Sequence, residues 1–243
     1  MIDPRMVSQK MDWRYRFIRG AFRLLLSILC RLHIEGLERL PRRGPAIVVA
    51  NHLHWMDPPV IMGVTPVRMV VLAAEKWETR PGMNVLFKSA GAVFVKRGCA
   101  DLAALRKVEA LLKAGAIFGV APEGTRSKTG GLQRGKGGVA LLAQRSGAII
   151  APIAVWGQER VFSEWRRLRR ADVFVRVGEP FTLIAPAGLG RSEQLEVMTE
   201  EIMLRIARLL PPDYRGIYAA AVAKEEEEEE EEARAARHAG GEG

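Results

Sequence analysis

The sequence has only two cysteines, Cys30 and Cys99, among 243 residues. That is too few for a disulfide scaffold, and a reduced, cytoplasm-facing protein is the simpler expectation. No stretch approaches ~20 apolar residues, which argues against a membrane-crossing helix of ordinary length. The apolar run over 24–30 is short and no small-residue cleavage site follows it, so it does not read as a cleaved signal peptide. The strained G-x-S-x-G turn that presents a nucleophilic serine is missing, which leaves a serine hydrolase without its nucleophile. A phosphate-loop spacing does occur at Gly130, Gly135 and Lys136. Gly137 stands where a hydroxyl should hold magnesium, and no strong strand precedes Gly130, so nucleotide hydrolysis is excluded.

What is present is globular. Hydrophobic residues make up 48% and charged residues 27%, enough apolar material for a core. Net charge is +9 and unevenly spread. From Lys224 onward there are three basic and nine acidic residues, so the first 223 residues carry +15. Such a body attracts anions: nucleic acid, an anionic membrane surface or a phosphorylated substrate.

Three segments differ in texture. Residues 1–43 hold a helical pattern between Trp13 and Ile34. Trp13, Phe17, Ala21, Leu24, Leu25, Ile28 and Leu32 share one side, with Arg16, Arg19 and Arg23 on the other. This reads as a basic amphipathic helix lying in a membrane interface, the alternative being a helix packed on the core. Residues 44–215 alternate β-branched runs with helical patterns. Strands are expected over 46–50, 69–73, 92–95, 117–121, 149–155 and 173–177, and helices over 58–63, 83–90, 102–114, 136–145 and 193–210. The fold class that follows is α/β: a single domain with a mixed, largely parallel sheet flanked by helices, preceded by the amphipathic helix. Residues 216–243 include the unbroken run Glu225 to Glu232, whose like charges repel, and are expected to form an acidic, disordered tail or a frayed helix.

Three polar clusters follow predicted strands. Asn51-His52-Leu53-His54-Trp55-Met56-Asp57-Pro58 comes directly after the first, and the carboxyl end of a strand is where open α/β sheets bind ligands. Asp57 can fold back to orient His52 as a general base, or cap the following helix with Pro58 in its first turn; the two roles are compatible. His52, His54 and Asp57 would offer three metal ligands, but only His33 remains in the folded part to add to them, and no metal is expected. Lys96 and Arg97 end a buried strand as an adjacent cation pair suited to a phosphate. Pro122-Glu123-Gly124-Thr125-Arg126-Ser127 supplies another phosphate ligand in Arg126, a carboxylate in Glu123 for a cation or substrate hydroxyl, and a flexible backbone at Gly124. Solvated strand ends or a surface turn are the plainer alternatives. The apolar stretch 150–155 reads as a core strand, or as the lining of an acyl pocket.

Together these clusters resemble the glycerolipid acyltransferase family, most closely its lysophosphatidic acid acyltransferases. Asn51, His52 and Asp57 match its NH-x-x-x-x-D block. Gly91, Val93, Phe94, Val95 and Arg97 match its G-x-[IV]-F-[IV]-x-R block, and the whole of 122–127 matches P-E-G-T-R-S. His54 replaces a common Ser, and Ala121 an aromatic; these departures bear on acceptor preference and chain length. The resemblance implies that His52 and Asp57 are catalytic, and that Lys96, Arg97, Glu123, Gly124, Thr125 and Arg126 bind substrate. It implies acyl-CoA or acyl-acyl-carrier-protein as co-substrate, a lysophospholipid acceptor and no bound cofactor or metal. The expected product is phosphatidic acid, made at the cytoplasmic face of a membrane by a peripheral or monotopic protein. An acceptor of another kind, such as a different lysophospholipid or a lyso-aminolipid, stays open. So does a non-catalytic basic membrane adaptor; a nucleic-acid partner is not expected, because such a module leaves the His/Asp pair unexplained.

Overall fold

The run Ala46–Ala50 is apolar at every position, the signature of a strand covered on both faces. In a computed structural model that describes residues 7, 11–95 and 102–239, it is strand β2, completely buried near the middle of the sheet. The elements run α1 (Trp13–Leu29), β1 (Cys30–Glu35), β2 (Ala46–Ala50), α2 (Asp57–Val64), β3 (Val70–Ala74), α3 (Met83–Ser89) and β4 (Ala92–Val95). They continue with α4 (Leu102–Lys113), β5 (Ile117–Val120), α5 (Gly138–Ser146), β6 (Ile149–Trp156), α6 (Val161–Arg166), β7 (Ala171–Val177), α7 (Arg191–Leu209) and α8 (Ala219–Ala239).

The seven strands form one sheet in the order β1-β7-β6-β2-β5-β3-β4. The neighbours from β6 to β4 are all parallel; β7 is antiparallel to β6 and carries β1 parallel to itself. The pleat divides β2 between two cores. Ile47 and Val49 pack with Leu112 of α4, Ala140 of α5 and Ile202 and Ile206 of α7. Ala46, Val48 and Ala50 pack with Leu26 of α1 and Val60 and Val64 of α2. The architecture is therefore the expected α/β domain, with helices on both faces of a mostly parallel sheet.

The N-terminal helix ends earlier than its wheel predicts. It stops at Leu29, and Cys30–Glu35 is a strand paired with β7 from Cys30 opposite Ala171 to Glu35 opposite Arg176. The segment alternates apolar and polar, so its period suits a strand, and the open edge of β7 supplies the hydrogen bonds that further helical turns would have made. The helix also presents the opposite face from an ordinary core helix. Tyr15, Leu26 and Leu29 are buried, while Trp13, Phe17, Leu24, Leu25 and Ile28 face solvent. Leu26 sits against α2 at Gly63, where a Cβ would come within 2.8 Å of its Cδ1. No helix among the described residues is long and apolar enough to cross a membrane.

Of the two forms expected for the acidic tail, the structure has the helix, through Ala239. Tyr218 and Val222 are buried in the core beneath α7. The start of the glutamate run meets cations: Glu225 pairs with Arg208 at 2.8 Å and Glu226 with Arg215 at 2.6 Å. Repulsion along the run is thus relieved where it would matter most for docking the helix.

Candidate active site

Parallel β6, β2 and β5 lie side by side, so the chain leaves all three at the same edge of the sheet. The segments that follow them, beginning at Gly157, Asn51 and Ala121, build the site, the position that strand polarity favours for ligands. Asn51 is buried and locks the first of these to β6: its amide donates to the Val155 carbonyl and its oxygen accepts from the Val155 N–H, both at 2.8 Å.

His52 comes next, half-buried, and its Nδ1 lies 2.6 Å from Asp57 Oδ2. Asp57 is the first residue of α2, with Pro58 beside it in the first turn and Met56, rather than Asp57, in the capping position. Its carboxylate is buried and also accepts from the His54 N–H and from the Gln158 side-chain amide, the latter at 2.7 Å. A buried carboxylate held by this set of donors fixes the ring that it meets. With the carboxylate as acceptor, Nδ1 is the donor of this bond, and Nε2 is turned away from Asp57.

Glu123 does something different from holding a cation or a substrate hydroxyl. It is buried, and Oε1 accepts from the His52 N–H at 2.7 Å, while Oε2 accepts from the backbone and side-chain N–H groups of Gln133 at 3.0 and 3.2 Å. Burial pushes its carboxyl above the usual range, and these donors hold it back. With the Ser127 N–H bonded to the His52 carbonyl at 2.7 Å, Glu123 ties the His52 and 122–127 segments together. In this structure it is a strut behind the histidine, a role the sequence did not suggest.

Gly124 turns the backbone with φ 69°, and the Lys136 side chain lies across it, 3.0 Å from where a Cβ would stand. Thr125 and Arg126 are exposed beyond the turn. The phosphate-loop lookalike is a stretch leading into α5, and its lysine serves this turn instead. Lys96 and Arg97 lie outside the described residues. His54 has its ring 5.5 Å from Trp55 and 6.5 Å from Phe162. Burial, opposed by Asp57 and Glu159 and aided by the nearby Arg126 charge, lowers its pKa.

Gln158 and Gln133 are the residues that sequence reasoning missed. Gln158 directly follows Trp156-Gly157 at the end of an apolar strand, a weak sign that a buried polar group was wanted there. Gln133 carries no local sign at all.

A family model described as Acyltransferase matches residues 31–156. A 1-acyl-sn-glycerol-3-phosphate acyltransferase of Borreliella burgdorferi is 28% identical over 54% of this chain and 54% of its own. The chain thus spans about half the length of that relative. One of Bacillus subtilis is 26% identical over 80% of this chain and 96% of its own. The crystal structure of PlsC, the 1-acyl-sn-glycerophosphate acyltransferase of Thermotoga maritima, superposes with a TM-score of 0.60 at 29% identity, covering 77% of this chain and 76% of that one.

Proposed function

The chain belongs to the acyltransferase family, and from that footing we propose that it moves a fatty acyl group from an acyl thioester to the free hydroxyl of lysophosphatidic acid, giving phosphatidic acid for phospholipid synthesis. The observation that carries this reading is the His52–Asp57 pair, 2.6 Å apart at the carboxyl edge of the sheet.

In the proposed reaction, His52 Nε2 takes the proton of the acceptor hydroxyl while Asp57 stabilises the imidazolium that forms. The hydroxyl oxygen attacks the thioester carbonyl directly, with no acyl-enzyme. The tetrahedral intermediate collapses, the C–S bond breaks, and the thiolate of coenzyme A or acyl carrier protein takes the proton back from His52. Arg126, with Lys136 across Gly124, faces the acceptor phosphate, and Lys96 and Arg97 are assigned to the same phosphate from their motif. The similar proteins named as 1-acylglycerol-phosphate acyltransferases support this acceptor class.

The acceptor is a membrane lipid, so the protein is proposed to sit on the cytoplasmic face of the membrane without crossing it. The exposed stripe of α1 supports this. The test is mass spectrometry of products from lysophosphatidic acid vesicles with a panel of acyl-CoA and acyl-carrier-protein donors, beside His52→Ala. Phosphatidic acid from the parent protein alone is expected. Acyl transfer only to other lysolipids would move the acceptor. Vesicle binding with no product from any donor or acceptor would leave an adaptor and end the catalytic reading.

A further inference from the structure

Leu168 is 94% exposed, the largest exposure of any bulky apolar side chain described. It is also the one described non-glycine residue with a positive φ, 54°. Left-handed backbone is disfavoured for leucine because its Cβ crowds the carbonyl, and glycine or asparagine usually fills such a position. The turn is nevertheless well held. The Leu168 N–H bonds the Trp165 carbonyl at 2.9 Å, and the N–H groups of Arg167 and Arg169 both bond the Glu164 carbonyl. The conformation aims at water a side chain that gains nothing from the rest of the chain.

Its surroundings are Arg166, Arg167, Arg169 and Arg170, all exposed, with Trp165 half-exposed one turn back. The Glu164 carboxylate spreads two of the arginines, Arg167 at 3.2 Å and Arg169 at 3.5 Å. An apolar tip ringed by guanidinium groups matches a layer with anions above and hydrocarbon below. The turn is also attached at both ends to parts already described. Arg170 donates to the carbonyl of Cys30, at the foot of α1, where Leu24, Leu25 and Ile28 are exposed. Phe162, in the first turn of α6, stacks on Trp55 at 5.4 Å, three residues beyond His52.

We infer that the 165–170 turn is a second membrane contact, which inserts Leu168 and Trp165 among the acyl chains of an anionic leaflet and sets its arginines on the lipid phosphates. With α1 it grips the bilayer from two sides of one element junction, and through Phe162 and Trp55 it sets the depth of the His52 segment. This rests on the proposed membrane acceptor. An acidic carrier protein would satisfy the arginines, but it would not account for the turn's junction with the exposed stripe of α1.

The full-length protein, Leu168→Gly, and a combined Arg166→Gln, Arg167→Gln, Arg169→Gln variant are sedimented with phosphatidylcholine vesicles, with and without phosphatidylglycerol. Leu168→Gly relieves the backbone, so its Tm should equal or exceed that of the parent. Its vesicle binding should fall roughly tenfold or more, the scale of withdrawing a few buried CH2 groups. The arginine variant should lose about fivefold per residue, only on anionic vesicles and less at high salt. Transfer to vesicle-borne acceptor should fall in step, with transfer to a soluble short-chain acceptor unchanged. Equal binding by Leu168→Gly and the parent would overturn the inference. So would an arginine variant that binds vesicles and uses acyl-CoA normally but fails with acyl-carrier-protein donors. Sedimentation needs no turnover, so a parent that transfers no acyl group would sink the proposed reaction while this contact is still read.

Discussion

Gln158 donates its side-chain amide to Asp57 Oδ1 at 2.7 Å, on the carboxylate oxygen opposite the one that meets His52. The histidine is thus oriented by a carboxylate that is itself oriented, from a strand end 101 residues further along the chain. His52→Ala should lower kcat by at least ~100-fold, the scale of losing a general base. Gln158→Ala should lower kcat by roughly tenfold with KM little changed, the scale of one hydrogen bond to a charged group. Gln158→Glu should be worse than Gln158→Ala, because a second carboxylate opposes the charge on Asp57. Steady-state kinetics on the three variants checks the order. Equal rates for parent and Gln158→Ala would remove the positioning role.

Glu123 provides a pH signature. Its folded pKa is raised by burial, so the folded state holds the proton more tightly than the unfolded chain. Its contribution to stability is therefore fully present below the ordinary glutamate pKa and declines as pH rises through the higher folded value. Glu123→Gln removes that slope and also turns an amide NH2 toward N–H donors. Melting curves at several pH values should show parent and variant diverging in this window, with activity lost in the variant because the His52 segment loosens. Parallel Tm profiles would contradict the assignment.

Arg126 is exposed at the mouth of the site and free to meet an anion. Arg126→Ala should raise KM for the phosphorylated acceptor roughly tenfold or more and leave KM for the acyl donor nearly unchanged, as expected when a charged hydrogen bond to one substrate is lost. Varying each substrate in turn separates the two effects. A rise confined to the donor would reassign Arg126.

The two faces of α1 should respond oppositely. Phe17→Glu with Leu24→Glu alters side chains that are already in solvent, so Tm should hold while sedimentation with anionic vesicles falls. Leu26→Ala empties a buried site and should cost about 2–5 kcal/mol of stability, measured by chemical denaturation. Loss of stability from the exposed pair would show that the stripe is covered by protein.

Arg215 is buried and its guanidinium makes two bonds to Glu226, at 2.8 and 2.6 Å. Glu226→Ala leaves that cation without its carboxylate. Because Glu226 is half-exposed, water softens the loss, and about 1–2 kcal/mol is expected rather than the full value of a buried pair. The bond to Arg215 lowers the Glu226 pKa, so this stabilisation is present above the ordinary glutamate pKa and vanishes as pH falls through the depressed one. Denaturation of parent and variant should converge in acid.

Much of this was legible because local pattern and tertiary setting agree. Strands over 46–50 and 92–95 stand where their apolar runs put them, and His52 and Asp57 meet because a short segment after a buried strand has little choice. The failures share a cause. Cys30–Glu35 fits a helical wheel as well as a two-residue alternation, and only β7, far along the sequence, decides between them. The glutamate run folds because Arg208 and Arg215 lie where no local window shows them. The role of Glu123 depends on Gln133 and on the backbone of His52, and backbone donors leave no trace in residue type.

The pairing of β1 also sets an order of events during synthesis. β1 lies at the edge of the sheet, with β7 as its neighbour, and Glu35 meets Arg176 from 141 residues away. Until Ala171–Val177 has left the ribosome, the first strand has no partner, and the helix before it can pack its core face on α2 but is not yet tied at its end. Bringing such distant segments together is slow compared with forming a helix. The exposed stripe of α1 is therefore formed and open to solvent well before the sheet edge behind it closes.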